Sequence, residues 1–260
     1  MGFWPVVMNV LRNSDVVLLL VDARMPEISK NAEIVFKVEV MGSKRLTFVF
    51  NKCDLVSRRG VDELKKEYPD AFFISSTKKT GVKDLRAMLD NMAANWNRSA
   101  LRVGIVGYPN VGKSTLINLL APAARAKVSS ISGTTKKTQW VRSGKLRIMD
   151  SPGVIPFGDK AVGVGMTAAK DPHKIRSPEN VALFLLREEE RRGFGVSGFR
   201  GFGRVEAIKK FYGIEGDSAE EIFEAIGRKR GYLVKGGIVD EHRTAIKILE
   251  DWQRGRIKIL

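Results

Sequence analysis

Four short motifs stand along this chain in an order that fixes its topology. Gly107-Tyr-Pro-Asn-Val-Gly-Lys113-Ser114 fits G-x-x-x-x-G-K-[ST], and Asp150-Ser-Pro-Gly153 follows it. Asn51-Lys52-Cys53-Asp54 and Ser75-Ser76-Thr77 come before it. Each follows an apolar run that reads as a buried strand (46–50, 71–74, 101–106 and 146–149), and 16–21 is a fifth such run. Patterns of helical period separate the runs. Strands alternating with helices imply an α/β fold with a mostly parallel sheet. Ligands of such sheets bind just beyond the C-terminal ends of the strands, where all four motifs fall.

The chemistry of each motif follows from its residues. In the loop 107–114, consecutive backbone N–H groups and a helix N-terminus face phosphate oxygens. Gly107 and Gly112 permit the tight backbone path. Asn110, Val111, Gly112, Lys113, Ser114 and Thr115 form the cradle, with Lys113 reaching the β- and γ-phosphates and Ser114 ligating Mg²⁺. Asp54 can accept from both N1–H and the 2-amino group of guanine, a donor pair that adenine lacks. Asn51 and Lys52 are expected to brace the phosphate loop and cover the ring, and Ser75, Ser76 and Thr77 to offer backbone contacts to the base. Asp150 is placed at Mg²⁺ through a water and the Gly153 N–H at the γ-phosphate. In Gly133-Thr-Thr, Thr135 is the candidate to close over Mg²⁺ and the γ-phosphate, and Thr134 competes with it. These are the elements of a guanine-nucleotide site. With the base reader ahead of the phosphate loop, the chain reads as a circularly permuted P-loop GTPase.

Other segments complete the expected organisation. Helices are expected over 4–12, 29–41, 61–67, 82–96 and 113–120, with a hairpin of 138–141 and 146–149 around Ser143-Gly144. Beyond residue 170 the strand signal fades. Helices are expected over 178–192, from Ser218, whose spacing to Glu221 is a capping box, and from Asp240 to Gln253. The expected domains are a GTPase domain, 1–170, and a small α-helical, RNA-binding domain, 171–260. Arg192 to Gly203 is a Gly-rich, aromatic loop.

The net charge of +16 and pI near 10.0 point to a polyanionic partner. No acidic residue lies between Asp90 and Asp150, where ten cations do. A single Cys excludes an internal disulfide, and apolar runs such as Val16–Val21 stop at six residues, far short of about 20 for a membrane span. A soluble, cytoplasmic, monomeric protein is expected, without membrane partners. His173, His242 and Cys53 are isolated residues without a catalytic setting.

On these motifs, with Val21-Asp22-Ala-Arg24 and the C-terminal stretches 225–231 and 236–240, the chain resembles the circularly permuted GTPases of the YlqF/YawG type. The resemblance covers most of the chain. It implies GTP hydrolysis, with GTP/GDP and Mg²⁺ bound, in assembly of the large ribosomal subunit and on its rRNA. Val154 follows Asp150-Ser-Pro-Gly153 where Ras-like enzymes carry a water-positioning Gln, so slow intrinsic turnover is expected. The resemblance also offers Asn110 as a ligand for K⁺. The alternatives are an RNA-binding module that keeps GTP as a structural ligand, a small-subunit assembly GTPase, and a GTPase acting at an anionic membrane surface.

Overall fold

The computed structural model describes residues 4–96, 99–122, 140–153, 165–167, 170–187 and 203–259. By their contacts these form two units, one of residues 1–54 and 61–158, the other of 55–60 and 159–260.

The first unit is built on β1 (Val16–Asp22), a run of Val and Leu buried along its whole length. A strand apolar on both faces needs a partner on each edge and a cover on each face. β2 (Arg45–Asn51) and β4 (Leu101–Gly107) supply the edges, both parallel to β1. β3 (Phe72–Phe73) extends the sheet beyond β2, and β6 (Leu146–Asp150) and β5 (Trp140–Ser143) extend it beyond β4, in the order β3-β2-β1-β4-β6-β5. Only β5 is antiparallel, paired to β6 across the turn at Gly144. Asp15 locks the start of the β1–β4 pair: its carboxylate accepts from Arg102 N at 2.9 Å and Nη2 at 2.7 Å.

Helices cover the faces. α5 (Val82–Ala94) buries Leu85, Leu89 and Ala93, one stripe at helical spacing, against the core that α6 (Lys113–Leu120) enters through Leu116, Ile117 and Leu120. α1 (Trp4–Asn13) lies against β4, so close that a Cβ on Gly104 would sit 2.3 Å from Ser14 Oγ and 2.9 Å from Val10 Cγ1.

The expected helix over 29–41 is in fact two. α2 (Pro26–Ser29) ends at Lys30, and α3 (Ala32–Met41) starts afresh. Asn31 causes the break: its side chain accepts from Ile34 N, the bond of an N-cap. The helix expected to reach Trp96 stops at Ala94, and α4 runs Arg58–Glu67.

In the second unit, helices 178–186, 204–212, 219–229 and 241–253 surround Trp252, Leu249, Leu185 and Ile226. Trp252 Nε1 donates to Met166 O at 3.1 Å. The helix expected over 178–192 ends at Leu186, because Arg187 is extended; 188–192 lie outside the described residues, as do 192–202 of the Gly-rich loop. Ser218 and Asp240 cap their helices by accepting from Glu221 N and Arg243 N. Where no strand was expected, β7 (Leu233–Val234) and β8 (Ile238–Val239) form a hairpin turned by Gly236 and Gly237, both at positive φ. Residues 55–60 join this unit through Leu55 O, which accepts from Ile259 N at 2.8 Å.

The Gly104 contact predicts that Gly104→Ala is destabilising. Ser14 Oγ is held by its 2.7 Å bond to Val10 O and cannot yield freely. Urea unfolding should show a loss of about 1–3 kcal/mol from overpacking; an unchanged midpoint would contradict this packing of α1 on β4.

Candidate nucleotide-binding site

The parallel strands β2, β1 and β4 end side by side, which gathers the motifs at one edge of the sheet. The phosphate loop leaves β4 at Gly107, whose φ of 145° and whose closeness to Leu20 O (2.5 Å from a built Cβ) exclude a side chain. Asn110 adopts φ 57° and Gly112 φ 103°. α6 starts at Lys113 with no side chain capping its N-terminus, so the loop presents helix-start amides. Val111 points into the core, fully buried, and anchors the loop from beneath, while Asn110, Ser114 and Thr115 are exposed.

Lys113 is buried and donates to Gly107 O at 3.1 Å and Tyr108 O at 2.6 Å. Burial lowers its pKa from 10.5 to about 8 against the opposing pull of Asp150. That lowering corresponds to roughly 3 kcal/mol held against the charged form. An anion at the loop would relieve it.

Asn51 joins three segments. Its Nδ2 donates to Val111 O at 2.7 Å, and its Oδ1 accepts from Ser76 N at 2.9 Å. Gly112 packs so tightly on this carboxamide that a Cβ would sit 2.2 Å from Nδ2. Lys52 follows with φ 66°, a left-handed conformation that costs a non-glycine residue about 1 kcal/mol. Its Nζ donates to Asp22 Oδ2 at 2.8 Å. Asp54 lies half-buried in the 3-10 turn Cys53–Leu55. The Ser75-Ser76-Thr77 loop stands beside it: Ser75 N donates to Thr80 O, Ser75 Oγ accepts from Lys78 N, and Thr77 is exposed. The N–H groups of Ser75 and Ser76 thus hold the loop itself in place.

On the other side of the phosphate loop, Ser114 Oγ donates to Asp150 Oδ2 at 3.1 Å. Asp150 Oδ1 is buried with no hydrogen-bond partner among the described residues. Burial raises the Asp150 pKa, opposed by Lys113 and the Ser114 hydroxyl. A buried carboxylate oxygen without a partner, next to a serine hydroxyl, fits a hydrated divalent cation. Gly153 stands over Pro109, where a Cβ would meet Pro109 Cα at 2.6 Å, so only glycine brings this N–H so near the phosphate loop.

Asn51, Lys52, Asp54, Ser75, Ser76, the phosphate loop, Asp150 and Gly153 therefore converge. Thr134, Thr135 and Val154 lie outside the described residues, as do Arg125, Lys127, Lys136 and Lys137 of the acid-free segment. Asp22 and Arg24 are buried beside Lys52, a placement their own motif does not announce; β1 and β2 pair in a register that sets Asp22 opposite Asn51.

The chain is similar to known GTP-binding proteins. The family described as "50S ribosome-binding GTPase" matches residues 102–199. A ribosome biogenesis GTPase A of Bacillus cereus is 32% identical over 268 residues, 95% of this chain and 85% of that protein. An uncharacterized GTP-binding protein of Methanocaldococcus jannaschii is 36% identical over 97% of this chain, and nucleolar GTP-binding protein 2 of Pneumocystis carinii is 32% identical over 98%. The chain spans only 65% and 52% of the length of those two relatives. In fold it matches GNP-bound YlqF from T. maritima with a TM-score of 0.58 at 23% identity, over 98% of this chain and 96% of that one.

Cys53, at the variable position of the base-reading motif, gives a local test. Burial pushes its thiol up to about 12, assisted by Asp54 and Asp22 and opposed by a hydrogen bond from the Ile74 backbone. At pH 8 the native thiol should react with iodoacetamide at least about a hundredfold more slowly than the urea-unfolded chain, because only the thiolate attacks. Equal rates would place Cys53 elsewhere.

Proposed function

The chain belongs to the ribosome biogenesis GTPase A (YlqF) family of circularly permuted GTPases, and we propose that it is a GTP-hydrolysing switch acting on the large ribosomal subunit and its rRNA. The observation that carries this reading is the Asn51 carboxamide, bonded at once to the phosphate loop and to the Ser75-Ser76-Thr77 loop. It makes base recognition and phosphate binding one structure.

In this reading Asp54 reads guanine and Lys52 covers its ring. Gly112, Lys113, Ser114 and Thr115 cradle the phosphates, and Lys113 turns its ammonium from the Gly107 and Tyr108 carbonyls to the phosphate oxygens. Ser114 and Asp150 would hold Mg²⁺, which supplies charge neutralisation on the β- and γ-phosphates. Gly153 donates its N–H to the γ-phosphate, and Thr135, or its neighbour Thr134, closes over it. Asn110 would contribute to a K⁺ site. No glutamine follows Gly153, so attack by water relies on groups brought by these segments or by the ribosomal particle.

RNA contact is assigned to the second unit. Around its hairpin, Leu233, Val234 and Ile238 are exposed by 46%, 49% and 64%. Arg243 lies over the Tyr232 ring at 4.3 Å, with Lys235 at the hairpin turn. Guanidinium planes, aromatic rings and apolar tips among cations suit unpaired bases and phosphates. No helix among the described residues is long and apolar enough to cross a membrane, and we assign the protein's work to the cytoplasm, as a monomer.

Two results are expected. Asp54→Asn should reverse base preference, because an amide offers a donor to the 2-oxo group of xanthine and cannot accept from both guanine donors. Isothermal titration should show GDP weakened by at least about a hundredfold and XDP strengthened; unchanged GDP binding would refute Asp54 as base reader. The second concerns pH. Lys113 carries a pKa of about 8 here, and bound phosphate would raise it, so above pH 8 binding takes up a proton. GDP affinity should be flat below pH 8 and fall above it, approaching about tenfold per pH unit. A flat profile to pH 9.5 would show that Lys113 does not meet the phosphates.

A further inference from the structure

Asp22 is an aspartate with no exposed surface at the end of the central strand, and its carboxylate serves two cations. Arg24 donates to Oδ1 from its backbone N and from Nε, both at 3.1 Å, and to Oδ2 from Nη2 at 2.8 Å. Lys52 Nζ donates to Oδ2 at 2.8 Å. The backbone around Asp22 is fixed as well. Asp22 N donates to Ser29 Oγ at 2.9 Å, and Ser29 Oγ donates on to Met25 O at 2.7 Å. Ala23 N donates to Asn51 O at 2.9 Å, and the strand register sets Asp22 opposite Asn51.

The two cations are not equivalent. The Arg24 side chain is 1% exposed, so it compensates the carboxylate from within, and its forked bonds already satisfy the charge. Lys52 is 18% exposed and stands two residues before Asp54, on the base-reading turn. A buried carboxylate already held by one arginine has no need of a second cation for its own sake. What the second bond does is fix the tip of a long, flexible side chain that starts two residues before the base reader.

We infer that Asp22 is a positioning residue for nucleotide binding: it holds the tip of Lys52, so that the lysine stem is ready to cover the guanine ring. A side chain already ordered loses no rotamer freedom when the base arrives. Arg24 keeps Asp22 ionised and in place and touches no nucleotide. The inference rests on the nucleotide reading above and adds a residue pair to it.

A double-mutant cycle on GDP binding tests it, with Asp22→Asn, Lys52→Met and the double variant, each checked for folding by its circular dichroism melt. Asp22→Asn should weaken GDP by about tenfold when Lys52 is present, the entropy of one long side chain. It should cost less than about twofold when Lys52 is already Met. Inorganic pyrophosphate, which has no base, should compete equally well against all the folded variants. An equal loss of GDP in both backgrounds, or a parallel loss of pyrophosphate, would overturn the inference, since a residue serving only the fold behaves that way. If Asp22→Asn does not fold, ammonium NMR of the nucleotide-free wild-type protein decides. The Lys52 Nζ protons, identified by their loss in Lys52→Met, should exchange slowly with water because Asp22 holds them, and rapid exchange would contradict the assignment. Failure of the wild-type chain to bind GDP would instead remove the nucleotide reading itself, and this inference with it.

Discussion

The carboxamide of Asn51 is the constraint on which the site depends. It donates to the carbonyl of Val111 and accepts from the amide of Ser76, and Gly112 packs against it too closely for any side chain. A buried amide left unpaired costs on the order of 1–3 kcal/mol per group, so each partner segment is held by the same side chain. The order in which the chain visits these segments does not enter. β2, β1 and β4 are neighbours and parallel, and their ends meet wherever the termini happen to fall. That is why a permuted chain can carry an unpermuted site.

The site also stores electrostatic imbalance of a definite sign. Lys113 is buried between two carbonyls at a pKa of about 8, and Asp150 has one oxygen bonded to Ser114 and the other without a partner among the described residues. Desolvation opposes both charges, in opposite directions. A polyphosphate with a divalent cation would satisfy both at once. Asp22 differs. Burial pushes it up, but Arg24 and Lys52 outweigh burial and hold it well below the usual carboxylate range. It is a settled group, suited to positioning.

Much of this was legible in the sequence, for physical reasons. Strands such as 16–22 are apolar up to their last residue because a central parallel strand has no wet face. The residues of the phosphate loop and the base-reading motif are set by local chemistry, so short motifs announce them. Contacts that depend on register were hidden. Nothing in Val21-Asp22-Ala-Arg24 alone says that Lys52, thirty residues on, will share its carboxylate; pairing of β1 with β2 decides that. The break at Asn31 was overlooked because the apolar pattern continues across a residue whose side chain caps the next helix. The β7–β8 hairpin escaped because two-residue strands carry no period, although Gly236-Gly237 marked its turn.

If nucleotide state is linked to the ribosomal particle, the link shows in GTP turnover. Phosphate release would be measured in K⁺ buffer with purified large subunits, purified small subunits, or neither. Slow turnover alone and a strong increase with large subunits only are expected. Turnover unaffected by either subunit, with GDP still bound tightly, would contradict it and favour a protein that keeps GTP as a structural ligand.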